Sequence, residues 1–172
     1  MSQRDEAGTL FEFLHMEMVH MFMSAEEEEE TANNDVRDFV HVKLEKIGFS
    51  CGQSLAERLT QDTPRMTDQL EVIKFICKDF WMNLFQKQVD NLRTNHKGVY
   101  VLQDNKFQTF APIANGTQYI EQMSPFLAMP CGLIRGALAA LGHTATVHAD
   151  VVNMPACTFQ IRIQRMETEA IQ

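Results

Sequence analysis

The side chains in this sequence that are best suited to metal binding or nucleophilic catalysis are six histidines and four cysteines. No two cysteines have the C-x-x-C spacing of a zinc or redox site, and no histidine cluster has the spacing of metal ligands. His15 and His20 are five residues apart, so their side chains diverge on a helix. We therefore predict neither a metal site nor a bound cofactor.

Nucleophilic catalysis would need an activated thiol, and the sequence offers only Cys77 with the distant His96. Cys77 falls on the apolar face of a predicted helix, where a buried thiol keeps a high pKa and stays unreactive. Glu12 and His15, three residues apart, are expected to be surface neighbours rather than an acid and a base. The glycine-rich phosphate-binding motifs G-x-x-x-x-G-K-[ST] and G-x-G-x-x-G are also missing from the sequence. The residue chemistry therefore points away from catalysis.

The composition predicts one soluble domain. The chain has 172 residues, of which 45% are hydrophobic, so a sizeable core is expected and wholesale disorder is not. The net charge of −8 argues against a nucleic-acid-binding function, because proteins that bind nucleic acids depend on clustered Lys and Arg. All four cysteines lie in apolar contexts and no signal segment precedes them, which predicts reduced, buried thiols in a cytosolic protein. The apolar stretch from Phe126 to Gly142 is too short to span a bilayer and contains Pro130 and Arg135.

The first helix, predicted from Leu10 to Met23, has apolar side chains on most of its circumference. Four of the eleven methionines lie in this segment, and methionine suits a surface that adapts to another protein. Two interpretations stay open at this point: a helix buried in the core, or a helix that meets a partner.

The acidic run from Glu26 to Glu30 carries five of the eight excess negative charges. Like charges repel each other, and the following Asn-Asn-Asp cluster favours turns. We predict an acidic flexible loop over residues 24–35, a solvated insertion rather than a docking site, and loose termini at 1–8 and 166–172.

Two further helices carry glycines four residues apart. The pattern predicts a helix over Asp35–Leu59, with Gly48 and Gly52, and another over Phe126–Leu141, with Gly132 and Gly136. Such spacing leaves a bare ridge where another backbone can come close, so we expect these two helices to pack tightly. A helix break near Gly48 is the alternative. In the sequence between these two helices, a third helix is predicted to begin at Thr63–Pro64.

Alternating apolar and polar residues predict the strands. A hairpin is expected around the turn Asn95–Gly98, and a second pair of strands on either side of Met154–Pro155. Extended chain over Phe107–Pro112 and a short helix over Gly116–Met123 are expected in between. The predicted fold is α+β, with about four main helices packed on one face of a roughly four-stranded antiparallel sheet.

Several segments closely resemble subunit 6 of the trafficking protein particle (TRAPP) complex. The resemblance covers nearly the whole chain beyond residue 9, apart from the acidic run and the last residues, and its most specific piece is the Arg93–Asn105 hairpin. The matching motifs are Leu10–Leu14, Gly48-Phe49 with Gly52-Gln53, Lys74-Phe75 with Cys77-Lys78-Asp79 and Trp81, Phe85–Gln88, Arg93–His96, Tyr100–Asn105 and Cys131–Leu138.

This resemblance implies the fold of the related subunit 3 and a structural, non-enzymatic role in vesicle tethering. Members pair with subunit 3 through helices of the first half of the chain, within an assembly that acts as a nucleotide exchange factor for a Rab GTPase in ER-to-Golgi and intra-Golgi transport. It also implies a cytoplasmic protein, at most peripherally associated with membranes of the cis-Golgi and endoplasmic reticulum. The residues expected at the partner interface are Phe11, Leu14, Met18, Met21, Phe22, Phe39 and Leu44.

One feature of the related subunit 3 proteins is missing from the sequence. They carry an acylated cysteine near the start of the helix that corresponds to Pro64 onward, and the segment Thr63–Met66 contains no cysteine. The alternative function is a module that binds a hydrophobic small molecule or an acyl chain. The many Phe and Met residues, without converging polar groups, favour a filled core over such a pocket.

Overall fold

The chain folds into helices that cover one antiparallel sheet. The computed structural model describes residues 3–27, 33–95, 97–110 and 124–164. In chain order the elements are α1 (Gln3–Glu27), α2 (Asn33–Thr60), α3 (Gln69–Phe75), a π-helical segment (Ile76–Phe80), α4 (Trp81–Phe85), β1 (Asn91–Thr94), β2 (Val99–Asp104), a 3-10 turn (Gln108–Phe110), α5 (Ser124–Ala140), β3 (Ala145–Asn153) and β4 (Ala156–Ile163).

The four strands form a sheet in the order β1-β2-β4-β3, and all neighbours are antiparallel. One face is buried, for example the row Leu102, Phe159 and the partly buried Ala149, which pair directly across three strands. The other face of β3 and β4 carries exposed polar residues such as His148 and Gln160. The helices therefore cover one face, and the predicted α+β architecture is confirmed.

The sheet ends in two edge strands. β1 has only four residues, and the register of β3 against β4 shifts between Val151 and Asn153. Such a shift marks a β-bulge or a similar irregularity, which locally bends and twists a strand.

The largest helix–helix contact joins α2 and α5 through the two predicted glycine ridges. A Cβ atom at Gly136 would overlap the carbonyl oxygen of Phe49, and one at Gly48, Gly52 or Gly132 would likewise overlap backbone atoms of the opposite helix. The two backbones thus approach as closely as glycine permits. α2 runs unbroken through Gly48, so the alternative of a helix break there is wrong.

The end of α5 is set by Gly142. Gly142 has a φ of +84°, a left-handed conformation that glycine adopts without steric cost. Its N–H donates to the Ala139 carbonyl (3.0 Å), and the His143 N–H donates to the Leu138 carbonyl (2.8 Å). This pair of hydrogen bonds is the Schellman motif, which satisfies the free carbonyls at a helix end.

The third helix begins at Gln69, so the predicted start at Thr63–Pro64 is wrong. The residue before it, Asp68, has extended φ and ψ angles and takes the N-cap position, a place that aspartate favours. From Gln69 the chain stays helical through the π-helical segment to Phe85. The Cys77 carbonyl accepts a hydrogen bond from the Val89 N–H at 3.0 Å, which ties the π-helical segment to the chain that leads into β1.

Other predicted boundaries also change. Residues 24–27 belong to α1 and 33–35 to α2, because Ala and Glu continue a helix well and Asn and Asp suit its first turn. The predicted loop 24–35 is therefore too long at both ends, and residues 28–32 lie outside the described residues. Residues 3–8, predicted to be loose, are helical. The predicted short helix over 116–123 and the loose terminus 166–172 also lie outside the described residues.

The segment after β2 is helical where extended chain was predicted. Residues 108–110 form a 3-10 turn in which the Phe110 N–H donates to the Phe107 carbonyl at 3.1 Å. Phe107 and Phe110 are fully buried, so the tight turn directs two nearby rings into the core. Residues 111 and 112 lie outside the described residues.

The core between the helices and the sheet is filled largely by aromatic rings. Trp81 packs against Phe85 at a centroid distance of 4.6 Å and against Phe159 at 5.3 Å. The Trp81 Nε1–H donates to Asp104 Oδ2 (2.9 Å), and Lys87 Nζ donates to Asp104 Oδ1 (2.6 Å). Burial opposes a charged lysine, but hydrogen bonds to Asp104 and Asp90 leave the pKa of Lys87 raised. The buried carboxylate of Asp104 is thus fully paired, as a buried charge must be.

Candidate interaction surface

Helix α1 uses one face for the core and leaves a second apolar face exposed. His15 and Val19 are buried, and Phe11 packs its ring edge against Phe85 at a centroid distance of 5.9 Å. Positions 10, 14 and 21 recur at helical spacing on a different side of the helix and carry exposed leucine and methionine. The apolar circumference predicted from the sequence thus divides into an inward and an outward part.

Helix α2 also carries exposed apolar side chains, Phe39 and Val42. Lys43 of α2 lies close to the rings of Phe22 in α1 and Phe39 in α2, which shows that the helices are neighbours there. Six large apolar side chains on the two helices are between 46% and 69% exposed. We call this set the α1–α2 apolar surface: Leu10, Phe13, Leu14, Met21, Phe39 and Val42.

The structure places the seven predicted interface residues in three groups. Leu14, Met21 and Phe39 belong to the α1–α2 apolar surface. Phe11, Met18 and Phe22 are half-buried and pack against the core. Leu44 has no exposed surface, so we remove it from the candidate set. It follows Phe39 by five residues, which turns it away from Phe39 and toward the interior.

Three exposed residues were missing from the predicted set: Leu10, Phe13 and Val42. A helical signal existed for two of them, because Leu10 precedes Leu14 by four residues and Val42 follows Phe39 by three. The prediction favoured the residues nearest the centre of the apolar pattern, and the protein's own core uses four of these seven: Phe11, Met18, Phe22 and Leu44.

The cysteines offer no activated nucleophile among the described residues. Burial raises the pKa of Cys77 and of Cys131 to about 12, and it also raises that of Cys157. Cys51 is exposed, so the prediction of four buried thiols is wrong for this residue. Cys51 lies on α2 next to Gly52, and only the glycine side of the helix is covered by α5.

His15 is fully buried, which corrects the expectation that it is a surface neighbour of Glu12. Its ring lies between Phe11 and Phe126, with centroid distances of 6.1 and 6.2 Å. Neither ring nitrogen has a hydrogen-bond partner among the described residues, and burial lowers the pKa of His15 to about 4. A buried, neutral imidazole between two aromatic rings is a packing group rather than a catalytic one.

The surface grooves carry mixed polar linings. One of about 540 Å³ lies between the end of α2 and α3–α4 and is lined by Leu59, Phe75, Lys74 and Asp79 among others. Among the described residues, no group of three or more His, Cys, Asp or Glu side chains could hold a metal ion. No described helix combines the length and the apolar character that crossing a membrane requires.

Comparison with known proteins decides the family. A family model described as "Transport protein particle (TRAPP) component" matches residues 11–164. The chain belongs to the TRAPP component family. Residues 11–164 include α2, α5 and every strand, so the family match covers both the glycine-packed helix pair and the sheet.

Curated relatives place the chain in the subunit 6 branch of the TRAPP family. It is 53% identical over 162 residues to trafficking protein particle complex subunit 6b of Danio rerio, a match that covers 94% of this chain and 99% of the relative. It is 51% identical over 162 residues to subunit 6B of Homo sapiens, with the same coverage. Subunit 6A of Homo sapiens is 47% identical over 156 residues, which cover 91% of this chain and 96% of that protein. The resemblance inferred from the motifs is confirmed.

A solved TRAPP structure has the same fold. It is subunit 3 of the trafficking protein particle complex from Naegleria fowleri, covalently bound to palmitic acid. The two structures superpose with a TM-score of 0.69, covering 91% of this chain and 96% of that chain. The sequences are 14% identical, so the match concerns the fold alone. It confirms the predicted subunit 3-like architecture.

Proposed function

We propose that this chain is a non-catalytic structural subunit of a TRAPP vesicle-tethering complex and that it pairs with subunit 3. The family supports the assembly, since its relatives at 47–53% identity are named as subunits of the trafficking protein particle complex. The buried thiols and the unpartnered His15 support a role without catalysis.

The observation that carries the pairing is the α1–α2 apolar surface. Exposed leucines, phenylalanines and methionines gain roughly 1.5–3 kcal/mol each when they are fully removed from water. Large apolar patches on a protein surface generally mark interaction sites. Helices α1 and α2 both belong to the first half of the chain, the part through which the resemblance implies pairing with subunit 3.

The cellular role follows from the whole complex rather than from this chain alone. In this proposal the assembly acts as a nucleotide exchange factor for a Rab GTPase in ER-to-Golgi and intra-Golgi transport, and the chain meets the GTPase only through the complex. It works on the cytoplasmic side, peripheral to the cis-Golgi and the endoplasmic reticulum. The net charge of −8 supports a protein partner rather than a nucleic acid.

The pairing is tested by measuring the affinity of purified subunit 3 for variants of this chain. Leu14→Glu and Met21→Glu each place a carboxylate in the α1–α2 apolar surface. Each should raise the Kd at least tenfold, which corresponds to about 1.4 kcal/mol, because the charge would have to lose its water on binding.

Met82→Glu is the matched control, since Met82 is an exposed apolar residue on α4, outside the α1–α2 apolar surface. It should leave the Kd unchanged, and circular dichroism should show that all three variants keep their helices. Wild-type affinity in both Leu14→Glu and Met21→Glu, or no complex with subunit 3 at all, would overturn the proposal.

A further inference from the structure

Lys43 lies between two aromatic rings at the edge of the α1–α2 apolar surface. Its Nζ atom is 3.8 Å from the ring centroid of Phe39 and 5.6 Å from that of Phe22. Both distances are within the range of about 6 Å over which an ammonium group is attracted to the face of an aromatic ring. Phe39 precedes Lys43 by one helical turn, whereas Phe22 belongs to α1, so this one ammonium group spans the two helices.

A contact between α1 and α2 helps to hold α1 in place, because few α1 side chains are fully buried. Among the α1 side chains that the structure describes, only His15 and Val19 are buried, and the rest are half-buried or exposed. His15 contributes no hydrogen bond to this packing. Five other α1 side chains are only partly buried against the core: Phe11, Met16, Met18, Phe22 and Met23. Contacts along the edge of α1 therefore add to its attachment, and Lys43 supplies one of them.

The same contact holds an exposed ring in place. Phe39 is 46% exposed and belongs to the α1–α2 apolar surface, where a free ring would sample several rotamers. Binding a partner costs the entropy of fixing such side chains, and a ring that is already fixed avoids part of this cost.

We propose that Lys43 is a positioning residue that holds Phe39 and α1 in the arrangement that the partner recognises. The partner role of the surface rests on the proposed function, while the link between α1 and α2 can be measured in the chain by itself. Two variants separate charge from length: Lys43→Met keeps a long unbranched side chain without charge, and Lys43→Arg keeps the charge.

The link between the helices is tested by hydrogen–deuterium exchange of the isolated full-length chain. Lys43→Met should raise the exchange rate of α1 amides between residues 10 and 23 by about threefold or more, because α1 opens more often. Lys43→Arg should stay near the wild-type rate. Lys46→Met, at an exposed lysine on the same helix, is the control and should change nothing. Unchanged α1 exchange in Lys43→Met, or equal changes in Lys46→Met, would overturn the proposal.

The effect on recognition is tested by the affinity for subunit 3. Lys43→Met should weaken binding about 3- to 30-fold, the range expected for one cation–π contact, and Lys43→Arg should largely restore it. In a Phe39→Leu background, Lys43→Met should weaken the binding of subunit 3 less than it does in the wild type, since the ring that Lys43 holds is gone.

The two proposals fail in different ways. If Leu14→Glu abolishes binding and Lys43→Met binds like the wild type, the positioning role is wrong and the pairing stands. If no subunit 3 complex forms, the pairing is wrong, and the exchange experiment alone decides whether Lys43 links the two helices.

Discussion

His15 shows how a single buried side chain can make stability depend on pH. Its ring has no exposed surface and packs near Phe11 and Phe126, and burial lowers its pKa from the usual 6.5 to about 4. The folded chain therefore keeps His15 neutral at pH values where the unfolded chain protonates it. Protons bind preferentially to the unfolded state between these two pKa values, so acidification favours unfolding.

We expect the free energy of unfolding to fall as the pH drops from about 6.5 to about 4, by an amount on the order of 3 kcal/mol from this residue. His15→Leu removes both the titrating group and two unpartnered nitrogens. It should flatten this pH dependence and raise stability at pH 7 by about 1–2 kcal/mol. Urea unfolding followed by circular dichroism between pH 7 and pH 4.5 measures both effects.

His148→Leu is the matched control, because His148 is exposed on β3 and should not share the effect. Parallel curves of unfolding free energy against pH for His15→Leu and the wild type would show that His15 is not responsible.

At the same scale, residue types predicted some environments and not others. Cys77, Cys131 and Cys157 are buried as expected from their apolar neighbours, whereas Cys51 is exposed. Periodicity shows which residues share a helix face, but it does not show which of two apolar faces the core takes. Leu44 and Leu14 have the same residue type in similar helical patterns, yet one is in the core and the other in water. Which of the seven partner candidates are exposed, namely Leu14, Met21 and Phe39, could be found only once the core was known.

At the scale of elements, the glycine ridges decide how closely α2 and α5 approach. A glycine inside a helix normally costs about 1 kcal/mol relative to alanine, so replacing it with alanine usually stabilises the helix. At Gly136 the sign should reverse, because the new methyl group would overlap the Phe49 carbonyl oxygen and backbone atoms cannot move away cheaply.

Gly136→Ala should therefore lower the free energy of unfolding by several kcal/mol, and Gly136→Leu should prevent stable folding. Thermal melting followed by circular dichroism measures this. Ala139→Gly, at an exposed position of the same helix, measures the effect of helix propensity alone. It should lower the free energy of unfolding by at most about 1 kcal/mol. A melting temperature for Gly136→Ala at or above that of the wild type would show that the two backbones are farther apart.

Most elements could be predicted from the sequence because their apolar residues repeat at helical or strand period over many positions. The glycine spacing even predicted which helices pair. The π-helical segment Ile76–Phe80 could not be predicted, since its residues suit an ordinary α-helix and the change depends on tertiary contacts such as the bond from the Val89 N–H to the Cys77 carbonyl. The start of α3 was predicted wrongly because the sequence offers two typical helix starts, Thr63–Pro64 and Asp68, and the structure uses the second.

At the scale of the whole molecule, the α1–α2 apolar surface should affect the behaviour of the isolated chain. An exposed set of six large apolar residues favours association with any complementary surface, including another copy of the chain. We expect the purified chain to self-associate or to be poorly soluble at high concentration.

Size-exclusion chromatography with light scattering over a wide concentration range tests this expectation. Leu14→Glu and Met21→Glu combined should shift the chain toward a monomer, and Met82→Glu should not. A wild-type chain that stays monomeric at the highest concentration would contradict it.

The edges of the sheet have a consequence for how such a molecule can be joined to others. An open strand edge invites another strand to extend the sheet without limit, which is a common route to fibrous aggregates. Here one edge, β1, has only four residues, and the other, β3, has nine residues and an irregular register only at its end, between Val151 and Asn153. The short β1 and the bend at the end of β3 both hinder a fifth strand. The proposed pairing uses the helices instead, and a finite set of helix side chains limits the number and identity of the neighbours.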